Sequence, residues 1–333
     1  MRAMILRQEG LENIATSEVA ELVRPSRGEI AVRIHANSLN YHDYAVATGA
    51  IKVAPDRILL SDGAGEVVAV GEGVCEFSMG DSVVSTFLPP WTDGPPSVLG
   101  TAQVPGDGID GYAREAVVAH ANAFTRIPRG YSHAQAATLP TAALTAWRAL
   151  VADGQMEAGQ SVLVQGTGGV SLFALQFAKA RGATVIATSS SDAKLERLKS
   201  LGADHVINYA VNPKWGSTAR ELSGGGVHHV VEVGGADTLP QSIAATKVGG
   251  HISMIGIMAG WQGVVPIAAL IGKQIRLQGI TVGSRCHQLG MIEEIERHGI
   301  EPVIDRTFPL EELANAFRYQ KSGSHFGKIV VSI

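Results

Sequence analysis

The stretch that most constrains the fold is Ser161-Val-Leu-Val-Gln-Gly-Thr-Gly-Gly-Val-Ser171, near the middle of the chain. Ser161–Gln165 is a short apolar run with β-branched residues, the pattern of a buried strand. Gly166, Gly168 and Gly169 break it. Val170–Arg181 then reads as a helix of strong helix formers, with Gly182 placed as its stop. A second strand, Ala183-Thr-Val-Ile-Ala-Thr188, follows. Strand, glycine turn, helix and strand within about 30 residues make a βαβ unit. Glycines at such a turn let the backbone approach a pyrophosphate held at the helix N-terminus. Ser171 stands where a third spaced glycine is common and is small enough to pack between helix and sheet. Gly166, Gly168, Gly169 and Val170, in the first helical turn, are the candidate phosphate-binding residues.

The end of the second strand bears on the choice of dinucleotide. An NAD site places Asp or Glu about 20 residues past the first glycine, on the ribose hydroxyls. Here the sequence is Thr188-Ser-Ser-Ser191, with no carboxylate at Ser189 and with Lys194 and Arg197 just beyond. Ser189, Ser190 and Lys194 offer donors and positive charge suited to a 2′-phosphate. NADPH is therefore expected, with NADH possible. Ser190 or Ser191 is also expected to cap the helix that begins at Asp192.

A chain of 333 residues suggests two domains. Its 45% apolar and 17% charged content allows a sizeable core. A formal net charge of −4 gives no basic footprint for nucleic acid, and the few aromatic residues give no base-stacking platform. Two cysteines, Cys75 and Cys286, make neither a disulfide framework nor a four-cysteine zinc site. No long apolar run marks a signal peptide or a membrane span, so a cytoplasmic protein acting on a small molecule is expected.

The first part of the chain is β-rich. Glu29–His35 alternates, with Ile30, Val32 and Ile34 on one face. Gly63–Val70, Asp81–Ser85 and Arg114–Ala119 are further strands, and Pro89–Gly111 is a long Gly- and Pro-rich loop. Ser132–Leu139 and Thr141–Leu150 read as helical. After the βαβ unit, strands are expected at His205–Asn208, His228–Val233, His251–Ile257 and Gln274–Val282, with a helix near Lys214–Leu222. This alternation implies an α/β fold with a parallel, doubly wound sheet. Helices near Gln288–His298 and Leu310–Ser322 and a strand at Lys328–Ser332 close the chain.

Several segments occur in a telling order: Asn40-Tyr-His-Asp43, Gly63-Ala-Gly-Glu-Val, Gly80-Asp81, Ala136-Ala-Thr-Leu-Pro140 with Thr145-Ala-Trp147, Val164-Gln-Gly-Thr-Gly-Gly169, Leu201-Gly-Ala-Asp-His-Val-Ile-Asn208, Gly249-Gly250 and Phe326-Gly-Lys328. Together they resemble the medium-chain dehydrogenase/reductases, on their zinc-independent, quinone-reductase-like side. The resemblance implies a GroES-like β domain (1–127 and 284–333), a Rossmann dinucleotide-binding domain (128–283) and a homodimer. It places the catalytic zinc ligands of zinc-dependent members on Asn40, Ser61 and Thr141, none of them a soft ligand, so no metal is expected. It puts Thr145 at the nicotinamide, Val233, Gly234, Ile255, Gly256 and Ile257 at its carboxamide, Tyr209 at the adenosine half, and Lys328 also at the cofactor.

Without a Lewis acid, reducing a plain ketone is harder, whereas a quinone or α,β-unsaturated carbonyl spreads the incoming charge into an enolate. The expected activity is hydride transfer from NADPH to such an acceptor. The alternatives are a zinc-free alcohol or aldehyde oxidoreductase and a non-catalytic NADPH-binding protein. Asn40, Tyr41, His42 and Tyr44 are the candidate donors, and Asp43 orients their segment. Quinone-reductase relatives commonly carry a tyrosine after a Ser-Gly or Thr-Gly pair, but here Thr48-Gly49 is followed by Ala50-Ile51. His42, at a place where zinc enzymes carry a proton-relaying hydroxyl, is the first candidate proton donor and Tyr41 the second.

Overall fold

The computed structural model describes residues 1–96 and 103–333. Part of the Pro89–Gly111 loop thus lies outside the described residues. The chain forms two compact units: Thr145–Thr281, and Met1–Leu144 together with Val282–Ile333.

In the unit Thr145–Thr281 six strands form one sheet: β1 (Ser161–Gln165), β2 (Thr184–Ser189), β3 (His205–Asn208), β4 (Val227–Glu232), β5 (Thr246–Met254) and β6 (Arg276–Gly279). Their order is β3-β2-β1-β4-β5-β6, and every pairing is parallel. All five residues of β1 are buried, as expected of a central parallel strand covered on both faces. Helix Gly169–Ala180 follows β1 and ends before Gly182, whose φ of 75° suits the left-handed stop that the sequence suggests. Strand order reverses between β1 and β4, so the carboxyl ends of these two strands flank the switch point of the sheet.

The expected strand Gln274–Val282 is shorter, only Arg276–Gly279, and a helix, Ile267–Lys273, precedes it. Lys273 accounts for the late start. Its ammonium donates to the carbonyls of Ile243, Ala244 and Thr246, at the C-terminal end of helix Leu239–Ala245. Cations are favoured there, and Gln274 turns the chain with φ 51°.

The other unit holds two sheets. One joins Ile14–Glu18, Arg2–Leu6 and Arg57–Ile58, none of which was foreseen in the sequence. The larger runs Ile304–Pro309, Lys328–Ser332, Glu29–Ser38, Asp62–Val70, Ser82–Ser85 and Phe124–Arg126, with Ala116–His120 also paired to Glu29–Ser38. The C-terminal strand rejoins the N-terminal part through the antiparallel pairs Val330–Ser38 and Ser332–Ala36.

Residues 128–144, assigned from the sequence to the dinucleotide domain, cluster instead with this unit. Ser132 caps the short helix His133–Ala136, and Ala136 and Ala137 pack on Ala36, Ala64, Val84 and Val330. Small side chains let the helix lie close against the sheet, which ties the segment there.

Candidate functional site

Two constellations carry chemistry, one in each unit. In the unit Thr145–Thr281 the turn after β1 is built around glycines with different reasons to be there. Gly166 adopts φ 70° and its N–H donates to Thr188, so the backbone itself demands glycine. Gly168 has an ordinary extended conformation, φ −77° and ψ 175°, and a Cβ on it would meet nothing within 4 Å. No protein atom requires glycine at that position. The space it keeps open lies over the first turn of helix Gly169–Ala180, whose N-terminus has no side-chain cap. Open space over the unpaired N–H groups of Gly169 and Val170 fits an incoming pyrophosphate. Ser171 is buried and its hydroxyl donates to the Gln165 carbonyl at 2.5 Å, fastening the helix to β1.

Past β2 the three serines divide the work. Ser189 is buried, and its hydroxyl accepts from the Ser191 N–H. Ser191 caps helix Asp192–Ser200 by accepting from the Lys194 N–H. Ser190 is the exposed one of the three. Asp192, the first carboxylate after β2, accepts from Asn208 at 2.6 Å. Tyr209 stands partly exposed after β3, its N–H on the Ser189 carbonyl. Ser189, Ser190, Lys194 and Tyr209 are thus brought to one end of the sheet.

At the ends of β4 and β5, Ile255 and Gly256 both donate their N–H to the Glu232 carbonyl, and a Cβ on Gly256 would meet the Val233 carbonyl at 2.1 Å. The turns Val233–Gly235 and Ile255–Ile257 therefore lie against each other. Thr145 is buried at the start of this unit.

In the other unit, helix Tyr41–Ala47 starts on a reciprocal cap. Asp43 Oδ2 accepts from the Asn40 N–H at 2.8 Å and its Oδ1 from the Ser61 N–H at 2.9 Å. Burial would push this carboxyl up, but His42 and these two N–H donors hold it below the usual range. Asp43 thus ties the start of helix Tyr41–Ala47 to Ser61.

His42 is clamped between carboxylates. Its Nε2 lies 3.2 Å from Asp107 Oδ2, and its Nδ1 is 3.8 Å from Asp43 Oδ1, beyond hydrogen-bond range. Phe87 packs edge-on to the ring at 5.3 Å. Burial alone would lower the imidazole pKa, but Asp107 and Asp43 raise it to about 9. Tyr41 is exposed and Tyr44 packs toward Phe317.

Asn40 is less available than its sequence position suggests. Its Nδ2 donates to Asp62 Oδ2 at 2.8 Å, and its Oδ1 accepts from Lys328 Nζ at 2.6 Å. Lys328 also donates to the Leu39 carbonyl and is buried. Its ammonium is therefore committed to this cluster, whereas the sequence reading put it at the cofactor. Thr141 Oγ1 and Ser38 Oγ complete the donors to Asp62, at 2.7 and 3.0 Å. Burial raises Asp62 to about 6 against the pull of Lys328, and burial lowers Lys328. The Ser61 hydroxyl is buried with no hydrogen-bond partner among the described residues.

Two family descriptions match the chain: an alcohol dehydrogenase GroES-like domain over residues 26–129 and a zinc-binding dehydrogenase domain over 169–297. A zinc-type alcohol dehydrogenase-like protein of Schizosaccharomyces pombe is 44% identical, over 95% of this chain and 93% of its own. The chain belongs to the medium-chain dehydrogenase/reductase family. It is an oxidoreductase with the α/β fold of that family, a GroES-like unit and a Rossmann-like parallel sheet. A crystal structure of an alcohol dehydrogenase-like protein from Sinorhizobium meliloti superposes with a TM-score of 0.93 at 38% identity, covering 100% of this chain and 98% of that one. The crystal structure of an NAD-dependent alcohol dehydrogenase gives 0.90 at 33%, covering 100% of both. A chloroplast envelope quinone oxidoreductase homolog of Arabidopsis thaliana is 30% identical over 92% of this chain and 90% of its own.

For a medium-chain dehydrogenase/reductase a nicotinamide dinucleotide is the expected cofactor, and the glycine turn fits one. Among the described residues no group of three or more His, Cys, Asp or Glu side chains is placed to hold a metal ion. Likewise, no helix among them is long and apolar enough to cross a membrane. Sequence reasoning missed Asp62, Asp107 and Glu232. Asp62 had one signal, its place beside Ser61; Asp107 sits in a Gly- and Pro-rich loop with none.

Proposed function

We propose that this dehydrogenase/reductase works without zinc, takes NADPH, and reduces a carbonyl conjugated to a C=C bond, a quinone or an α,β-unsaturated ketone or aldehyde. The supporting observation is the cluster around Asp62. Asn40 and Thr141, at two of the places where zinc-dependent members carry ligands, spend their side chains on Asp62, and Asn40 Oδ1 faces the Lys328 ammonium. Ser61 offers only a hydroxyl at the third. Amide and hydroxyl groups are poor zinc ligands, and a buried ammonium beside them disfavours a second cation.

When bound, NADPH supplies a hydride. The chain's own task is then to provide a proton and to stabilise negative charge on the acceptor oxygen. His42 suits it. Asp107 and Asp43 keep the imidazole protonated at neutral pH, so it presents a positive charge and a donatable proton. After giving up that proton it regains one from solvent. A conjugated acceptor spreads its charge, so one such donor meets the demand that a plain ketone would place on a metal.

The protein is proposed to be a homodimer. Strand β6 is the edge of its sheet and three of its four residues are exposed. Beside it in sequence stand the exposed Trp261, Val264, Ile267 and Ile271. A second copy pairing its own β6 by two-fold symmetry satisfies the edge and covers apolar surface.

Purified, untagged protein assayed with NADPH against quinones, enones, saturated aldehydes and alcohols tests the function. Turnover of the conjugated acceptors, unchanged by prolonged chelation, is expected. Stoichiometric zinc with activity confined to alcohols would replace this reading by a zinc alcohol dehydrogenase.

A further inference from the structure

Glu232, the last residue of β4, is completely buried, 0% exposed, and no lysine or arginine pairs with it among the described residues. Five neutral donors surround its carboxylate. Oε1 accepts from the N–H groups of Gly234 (2.8 Å) and Gly235 (3.0 Å) and from Thr238 Oγ1 (2.6 Å). Oε2 accepts from Gln165 Nε2 (2.7 Å) and from the Ser242 hydroxyl. Gln165 is the last residue of β1, immediately before the phosphate-binding turn. Its Oε1 accepts, at 3.3 Å, from the N–H groups of both Val233 and Gly234. One buried network therefore joins the carboxyl ends of the two strands that flank the switch point.

Burying an unpaired carboxylate is strongly unfavourable unless oriented donors replace its water. A plain strand end does not need that expense. What the anion accomplishes is directional: an acceptor with several lone pairs and no donor of its own draws the N–H groups of Gly234 and Gly235 inward, while Gln165 Oε1 takes that of Val233. The glycines agree. Gly235 has φ 100°, and a Cβ on Gly234 would meet Thr238 Oγ1 at 2.3 Å. At these two positions glycine serves the wrap around Glu232, unlike Gly168, where glycine leaves open space.

We infer that Glu232 is the positioning residue for the nicotinamide half of the dinucleotide site: with Gln165 it sets the turn Val233–Gly235 in the one arrangement that accepts that half. The inference rests on the dinucleotide-binding reading of this unit. Glutamine at 232 would keep the size but set an NH₂ group against N–H donors, leaving buried groups unpaired.

The test compares the whole cofactor with its adenosine half. Wild-type protein and Glu232→Gln are titrated with NADPH and with adenosine 2′,5′-bisphosphate, and thermal unfolding is recorded. The variant is expected to lose about tenfold or more in NADPH affinity, as 1.4 kcal/mol per decade requires, while bisphosphate affinity stays within about twofold. If Glu232→Gln does not fold, Gln165→Met, which removes the same link to Val233 and Gly234, is measured in its place with the same expectation. Equal loss of both ligands, or loss of neither, overturns the positioning role. Wild-type protein that binds neither NADPH nor NADH overturns the dinucleotide reading itself, a distinguishable result.

Discussion

Asp107 Oδ2 stands 3.2 Å from His42 Nε2, joining a loop to a helix 65 residues earlier in the chain. The contact decides what His42 is at neutral pH. Alone in this half-buried place the ring would lose its proton more easily; beside Asp107 and Asp43 it keeps it up to about pH 9.

The first prediction follows from that pair. If protonated His42 is the acid, activity falls as pH rises through about 9. Asp107→Asn should move this limb toward lower pH with little change in NADPH affinity. His42→Ala should lower kcat by about 10²–10⁴. The stability sign runs the same way: a folded pKa above the unfolded 6.5 stabilises the chain below about that pH, and the gain disappears through about 9. An unmoved pH–rate profile in folded Asp107→Asn would remove His42 from the reaction.

Cofactor choice is the second. Exposed Ser190, the Lys194 backbone bound to Ser191, and Asp192 held by Asn208 leave the end of β2 without a free ribose-binding carboxylate. One charge-assisted contact is worth roughly 1.5–3 kcal/mol, about tenfold to over a hundredfold in affinity. Fluorescence titration should show NADPH binding more tightly than NADH, and Lys194→Ala should narrow the gap. Equal affinities in the wild type would contradict the assignment.

Acid should weaken the unit that contains Thr145–Thr281. His229 and His251 face each other from β4 and β5, with ring centroids 6.1 Å apart, and Arg276 Nη2 lies 3.0 Å from His251 Nδ1. Burial first, then neighbouring cationic groups, lower both to about 4. Their unfolded counterparts titrate near 6.5, so the unfolded chain takes up more protons between these values. Stability is therefore full above about pH 6.5 and declines as pH falls toward 4. At about 1.4 kcal/mol per unit, His229 alone accounts for about 3 kcal/mol. His229→Gln should flatten the dependence of the melting temperature on pH in that window; an unchanged slope would show that other groups set it.

The dimer prediction is read by light scattering. Wild-type protein at micromolar concentration should have twice the chain mass. Ile271→Glu, which places charge on an exposed apolar site near β6, should shift it toward monomer while NADPH binding persists. A monomeric wild type would rule the edge pairing out.

Local patterns carry as far as the physics behind them is local. The buried run Ser161–Gln165, the glycines after it and the alternation of strands and helices marked the parallel sheet, because backbone conformation and hydrophobic period depend on near neighbours. The stop at Gly182 was legible for the same reason, whereas helix Tyr41–Ala47 and its Asn40–Asp43 cap emerged only in the structure. Where the sequence misled, a distant group intervened. Lys273, just before the expected strand, turned its ammonium to the end of helix Leu239–Ala245, and residues 128–144 joined the first unit through alanines packed on its sheet.

The charges of the two sites were settled only by tertiary structure. Nothing near His42 in sequence announces Asp107, and nothing near Asn40 announces that Lys328, 288 residues away, commits its ammonium to the Asn40 amide. Glu232 reads in sequence as an ordinary strand end; only folding brings Gln165, Thr238, Ser242 and two glycine N–H groups around it. Residue types and their spacing set which backbone elements form. Which side chains keep a proton or a charge depends on desolvation and on partners a few ångströms away, and those distances exist only once the chain has closed on itself.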